Sequence, residues 1–261
     1  MENNSAEMRK KAGVKKVLII LLAVFLLLAA AFFAYCLPYY HADPDARQGS
    51  GNAAYVEKGT ADGSGGEVKI SDADDWIFYD GPGKSQAMVF YPGAKVDENA
   101  YGPLMYRLAE DGTDCFLVRM PLHLAIFGKS RAGEIIEEYK YEKWIMAGHS
   151  LGGSMAASFA ASDQEQISGI VFLASYPAAD LSKSPMRALS IYGSCDGVLN
   201  RENYADAGKK MPRDFTEHVI EGGNHAGFAY YGPQRGDSKA SISKEEQIIE
   251  TADIIEDWLE D

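Results

Sequence analysis

The chain has 261 residues, 46% of them hydrophobic and 24% charged, which supports one full-sized core and excludes both three domains and a wholly disordered chain. The formal net charge is −13, and five of the 25 basic residues (Arg9, Lys10, Lys11, Lys15 and Lys16) lie in the first sixteen positions. The remainder carries 20 basic and 36 acidic residues, a balance that repels phosphate backbones and argues against a nucleic-acid partner.

Residues 17–37, VLIILLAVFLLLAAAFFAYCL, run for twenty-one positions without a charge. At 1.5 Å per residue they span roughly 30 Å, the thickness of a bilayer's hydrocarbon core. Basic residues flank the run on its N-terminal side only, and the aromatic pair Tyr39–Tyr40 follows it. The positive-inside rule predicts a cytoplasmic basic segment over 1–16, one transmembrane helix over 17–37, and everything beyond outside the cytoplasm. A cleaved signal peptide, giving a secreted product, is the competing reading. Against it, the run exceeds the usual apolar region of about 7–15 residues and no A-x-A site closes it. Residues 38–67 are polar, rich in Gly, Ser and Asp, and lack a hydrophobic period; they read as a flexible linker. The folded domain is expected over 68–261.

From there apolar strand-like runs alternate with helical patterns. Strands are expected at WIFYD (76–80), AMVFY (87–91), CFLVRM (115–120), WIMAG (144–148), GIVFLAS (169–175), ALSIYG (188–193) and FTEHVIEG (215–222). Helices are expected over 98–112, 130–141, 151–162, 200–211 and 243–261, most of them amphipathic. This alternation predicts an α/β fold, a mostly parallel central sheet with helices on both faces. In such sheets function gathers beyond the carboxyl ends of the strands.

Gly148-His149-Ser150-Leu151-Gly152 lies at one such end and fits G-x-S-x-G, with a strand before it and a small-residue helix after it. A sharp strand-to-helix turn would present Ser150 as a nucleophile, with Gly148 and Gly152 removing side chains that would clash. The serine needs a base and an acid behind that base. His225, in the glycine-rich EGGNHAGF after the last strand, is the best-placed base. His149 adjoins the serine, but neighbouring side chains in a tight turn diverge, so it is expected to pack or hydrogen-bond locally. His41 falls in the linker and His218 inside a strand, whereas His123, just past a strand, could line the pocket. For the acid, Asp196 in IYGSCDGV ends a strand; Asp180 is its rival. The oxyanion hole is expected to use the amide of Leu151 and that of Ala94 or Lys95 in the loop PGAKV. Cys115 and Cys195 read as two buried or half-buried thiols, and Cys36 sits at the membrane edge. No Cys/His cluster has metal-ligand spacing.

YPGAKVDENAYGPL, RMPLHLAIFG, AGHSLGGSMAASFA, IYGSCDGV and EGGNHAGFAYYGPQRGD together resemble the compact α/β-hydrolases of the dienelactone-hydrolase-like, "alpha/beta hydrolase family 5" type, over about residues 68–259. The resemblance implies an α/β-hydrolase fold and a Ser150–Asp196–His225 triad, with Leu151, Ala94 and Lys95 around the oxyanion. Dienelactone hydrolases proper use a cysteine nucleophile, so the serine sets this chain apart from that substrate, and His123 stands where an amide side chain is expected in relatives. The expected activity is hydrolysis of an ester or related acyl bond in a small-molecule substrate, with no cofactor or metal. Acyl transfer or peptide cleavage by the same triad is the alternative, and a non-catalytic surface protein on the same scaffold is the third reading. Only 46 positions separate Ser150 from Asp196, too few for a large lid; residues 176–187 are the only candidate cover. Phe228, Tyr230 and Tyr231 would either wall the pocket or pack the loop.

Overall fold

The computed structural model describes residues 2–46, 68–83, 85–163 and 165–260. It falls into two compact units, Met1–Pro38 and Tyr39–Asp261. The first unit is helix α1 (Glu2–Cys36). Its stretch Gly13–Cys36, 24 residues with mean hydropathy 3.2, is long and apolar enough to cross a membrane, a test that an N-terminal signal sequence also passes.

The second unit is built on eight strands: β1 (Lys69–Asp72), β2 (Trp76–Asp80), β3 (Gln86–Tyr91), β4 (Asp114–Val118), β5 (Lys143–His149), β6 (Ile167–Leu173), β7 (Arg187–Gly193) and β8 (Asp214–Ile220). They form one sheet in the order β1-β2-β4-β3-β5-β6-β7-β8. Strand β2 runs antiparallel to β1 and β4; every other pairing is parallel. The helices are α2 (Gly102–Glu110), α3 (Arg131–Glu138), α4 (Leu151–Ala160), α5 (Arg201–Ala207) and α6 (Lys244–Glu260).

Strand β3 shows why both faces are covered. Met88 and Phe90 point into a core shared with Leu104 and Leu108 of α2 and Ile248 and Ile255 of α6. Ala87, Val89 and Tyr91 point the other way, into a core shared with Ile135 of α3 and Ala156 and Ala157 of α4. Each fully buried Phe, Leu or Ile contributes about 1.5–3 kcal/mol by leaving water, so truncating Phe90 to Ala would cost about 3–5 kcal/mol. Chain order reverses around β3, whose neighbours are β4 on one side and β5 on the other. Such a reversal opens a crevice beyond the carboxyl ends of the strands.

The expected strands are all present; β4, β6 and β8 each end two residues earlier than expected, at Val118, Leu173 and Ile220. Strand β1 was not expected. The helix expected over 98–112 opens as a 3₁₀ turn, Glu98–Tyr101, before α2. The one expected over 200–211 closes as another, Gly208–Lys210. The linker expected over 38–67 is in part docked. Residues 39–46 belong to the second unit and bond to two of its loops through the backbone groups of Tyr40 and Asp43. Residues 47–67 lie outside the described residues.

Candidate active site

Ser150 sits between β5 and α4 with φ +52° and ψ −121°. A non-glycine residue at positive φ costs on the order of 1–3 kcal/mol and persists only where its surroundings enforce it. Here Ser150 N–H donates to Leu173 C=O (2.9 Å), and the Ser175 hydroxyl donates to Ser150 C=O (2.6 Å). The glycines permit the close approach this needs. A Cβ on Gly152 would lie 2.0 Å from the Tyr91 carbonyl oxygen, and one on Gly148 would lie 2.6 Å from the backbone of Gly152 and Gly153. The turn leaves Leu151 as the first residue of α4, where its N–H has no intrahelical acceptor.

Asp196 follows β7 and His225 follows β8, and the two meet: Nδ1 of His225 lies 2.9 Å from Oδ2 of Asp196. Both residues are buried, at 1% and 9% exposure. The other oxygen of Asp196 accepts the amides of Val198 and Leu199, each at 2.8 Å. Burial by itself would raise the acid's pKa. The hydrogen bond and charge of His225 and the two amides outweigh it and hold the carboxyl below its ordinary range. A carboxylate here orients the imidazole with Nδ1–H toward Asp196, which leaves Nε2 as acceptor. That Nε2 is buried and has no hydrogen-bond partner among the described residues, Ser150 included.

Sequence reasoning missed the residue that ties the Asp196 and His225 loops together. Asp237 accepts Gly197 N–H (3.1 Å) and His225 N–H (3.3 Å) through Oδ1 and Ala226 N–H (2.8 Å) through Oδ2. It lies twelve positions past His225 in a polar loop with no periodicity, so no pattern marks it.

His149 is buried beside His225, ring centroids 4.5 Å apart, and Nδ1 bonds the Tyr101 hydroxyl at 2.8 Å. That hydroxyl also accepts Gly93 N–H (3.0 Å), so its own proton goes to His149 Nδ1. Burial, reinforced by the neighbouring His225, drives the His149 pKa well below the ordinary value and keeps the ring neutral. The loop after β3 separates the two amides expected as alternatives for the oxyanion. That of Lys95 is spent on His123 C=O at 2.7 Å, and Lys95 has φ +60°. The amide of Gly93 is likewise taken by Tyr101. The remaining amide of that loop stretch is Ala94 N–H, which has no acceptor among the described residues.

Elsewhere, Asp180 is exposed and its carboxylate accepts Ser182 N–H at 2.9 Å. His218 is exposed on β8. His123, at φ +53°, faces Glu98 (3.7 Å) and stacks on Tyr39. Phe228 and Tyr231 are fully buried, so they pack the loop and do not wall a pocket. Cys115 is buried, Cys195 is half-buried, and both are free thiols. Among the described residues no group of three or more His, Cys, Asp or Glu could hold a metal ion.

Residues 87–249 match the model of the alpha/beta hydrolase family. No curated protein sequence matches the chain. Solved structures of similar fold include Est1E from Butyrivibrio proteoclasticus, at 13% identity over 74% of this chain and 99% of that one, TM-score 0.53. A monoacylglycerol lipase from Paleococcus ferrophilus aligns at 16% identity over 70% of this chain and 99% of that one, TM-score 0.53. MGS-MChE2, an alpha/beta hydrolase enzyme from the metagenome of lagoon sediments at Mar Chica, Morocco, aligns at 15% identity over 73% and 97%, TM-score 0.52. At these identities the likeness is one of fold.

Proposed function

The chain belongs to the alpha/beta hydrolase family and has its fold, and from that premise we propose that it is a serine hydrolase cleaving a carboxylic ester or related acyl bond. The observation that carries this reading is the buried His225–Asp196 bond of 2.9 Å, on the loops beyond the same strand ends as the turn that holds Ser150 at positive φ. A buried carboxylate behind an imidazole makes it a base; a strained strand-to-helix turn exposes a nucleophile.

In this reading His225 Nε2 takes the Ser150 proton as Oγ attacks the substrate carbonyl. Asp196 fixes the tautomer and stabilises the imidazolium. The amides of Leu151 and Ala94 hold the developing oxyanion, each worth about 10²–10³ in rate. His225 then returns its proton to the leaving group, activates water, and the acyl-serine is hydrolysed. The apolar segment Gly13–Cys36 supports a membrane anchor, with the hydrolase domain outside the cytoplasm by the positive-inside rule.

The test is fluorophosphonate labelling of the full chain and hydrolysis of p-nitrophenyl acetate. The wild type is expected to label at Ser150 and turn over, and Ser150→Ala to lose the label and at least about 10³-fold in kcat. Folded wild type that neither labels nor turns over would falsify the reading. Product formed with added alcohol in preference to water would redirect it to acyl transfer.

A further inference from the structure

We infer that the segment directly after the apolar helix, centred on Tyr40, positions the oxyanion-binding amide, so that activity depends on residues 39–46; the inference rests on the serine-hydrolase reading. The argument begins with a single peptide unit. The amide that joins Gly93 to Ala94 is planar and trans, so its N–H points opposite to its C=O. Gly93 C=O accepts Val96 N–H at 3.3 Å. Whatever holds Val96 therefore sets the direction of Ala94 N–H.

Tyr40 holds it. Tyr40 N–H donates to Lys95 C=O at 2.6 Å, and Tyr40 C=O accepts Asp97 N–H at 2.8 Å, so both peptide groups around Val96 are tied to one residue in a parallel bridge. Lys95 is clamped from the other side by its bond to His123 C=O, and the His123 ring stacks on Tyr39 with centroids 3.9 Å apart.

The same segment also reaches the loop that follows His225. Asp43 N–H donates to Tyr230 C=O (2.8 Å), and the Tyr40 hydroxyl accepts Arg235 N–H (3.1 Å). The Tyr40 ring packs on Tyr231 at 5.6 Å, and Asp43 pairs with Lys244 at 2.7 Å. Residues 39–46 are thus a strap from the oxyanion loop to the base loop. Tyr40 is a positioning residue; it donates nothing to the substrate. The strap has a consequence for processing. Cleavage before Tyr39 would leave the site intact, whereas cleavage after Tyr40 would disarm it.

The experiment uses the full chain in detergent micelles. Tyr40→Pro deletes the N–H that bonds Lys95; Tyr40→Phe keeps both main-chain bonds and loses only the hydroxyl. Tyr40→Pro is expected to lower kcat on p-nitrophenyl acetate about tenfold or more with KM within about twofold, and Tyr40→Phe, which loses only the bond to Arg235, to lower it about twofold to threefold. Amide exchange over residues 93–97 should quicken in Tyr40→Pro while β5 and β6 stay protected. Lys244→Ala, which removes the side-chain anchor of Asp43 at the strap's other end, should quicken exchange of Asp43 N–H, the donor to Tyr230 C=O, and lower kcat about twofold to threefold; it serves if Tyr40→Pro does not fold. Faster exchange with wild-type kcat would make the strap purely structural and overturn the inference. Unchanged exchange would mean the strap does not form. A wild type that fails to label at Ser150 removes the hydrolase reading and the catalytic half of this one with it, leaving the exchange data to judge the docking alone.

Discussion

Asp196 and Asp114 are both buried, at 9% and 4% exposure, yet their acid strengths move in opposite directions. Asp196 stands beyond the carboxyl end of β7 and faces an imidazole and two free amides. Asp114 opens β4 at the amino end of the sheet. It accepts Gly81 N–H at 2.9 Å and the phenol of Tyr141. Burial raises its pKa more than those two bonds lower it, and the nearby charge of Asp80 raises it further, to about 6. The difference is one of partners. A neutral phenol does not compensate a desolvated charge, whereas a protonatable imidazole and the free amides of a tight turn do. At one end of the sheet the carboxylate is ionised below its ordinary range; at the other it keeps its proton up to about pH 6.

The comparison breaks first at Asp196. Asp196→Asn would remove the charge that orients His225 and is expected to lower kcat by about 10³–10⁴, about 4–5.5 kcal/mol of transition-state stabilisation, with the fold retained. Asp180→Asn should stay within about twofold of wild type. Steady-state kinetics of the two variants decide the matter, and the reverse ranking would move the acid to Asp180.

A second variant asks how far the active-site end depends on uncharged neighbours. Tyr101→Phe leaves Gly93 N–H and His149 Nδ1 without partners in a buried site, at a cost of about 1–3 kcal/mol in stability. It also loosens the anchor one residue before Ala94, so kcat should fall about threefold to tenfold while KM holds. Wild-type kcat together with a lowered thermal midpoint would confine the Tyr101–His149 pair to a structural role.

How much of this was legible in the sequence depends on where the bonds run. Strands β3 to β7 are buried on both faces and write themselves as apolar runs. Strand β1 is four residues, KISD, at a sheet edge; with three of its four side chains polar it carries too little apolar signal. Ser150, Asp196 and His225 could be singled out because each follows a strand, and topology brings strand ends together. Which amide of PGAKV is free could not be read, because it turns on Lys95 bonding His123, 28 positions away. Asp237 and the strap at Tyr40 escaped for the same reason. Their contacts are to main-chain groups, and main-chain groups leave no residue pattern.

The smallest effect tests the other aspartate. With its folded pKa near 6 against an ordinary 3.8, Asp114 retains a proton in the folded state that the unfolded chain has already released. Stability therefore falls as pH rises between about 4 and 6 and levels off above. Asp196 has the opposite sign: its contribution is complete above the ordinary carboxylate range and is lost as pH falls through its lowered folded value. Asp114→Asn keeps the shape, can accept Gly81 N–H through its oxygen, and cannot titrate. Relative to wild type it should gain about 1–2 kcal/mol between pH 4 and pH 7.5, read from denaturant midpoints at the two values. Activity should be unchanged at either pH, since the residue lies at the far end of the sheet. A stability difference that does not vary with pH would mean that Asp114 ionises as freely as a surface acid, and the contrast between the two ends would rest on Asp196 alone.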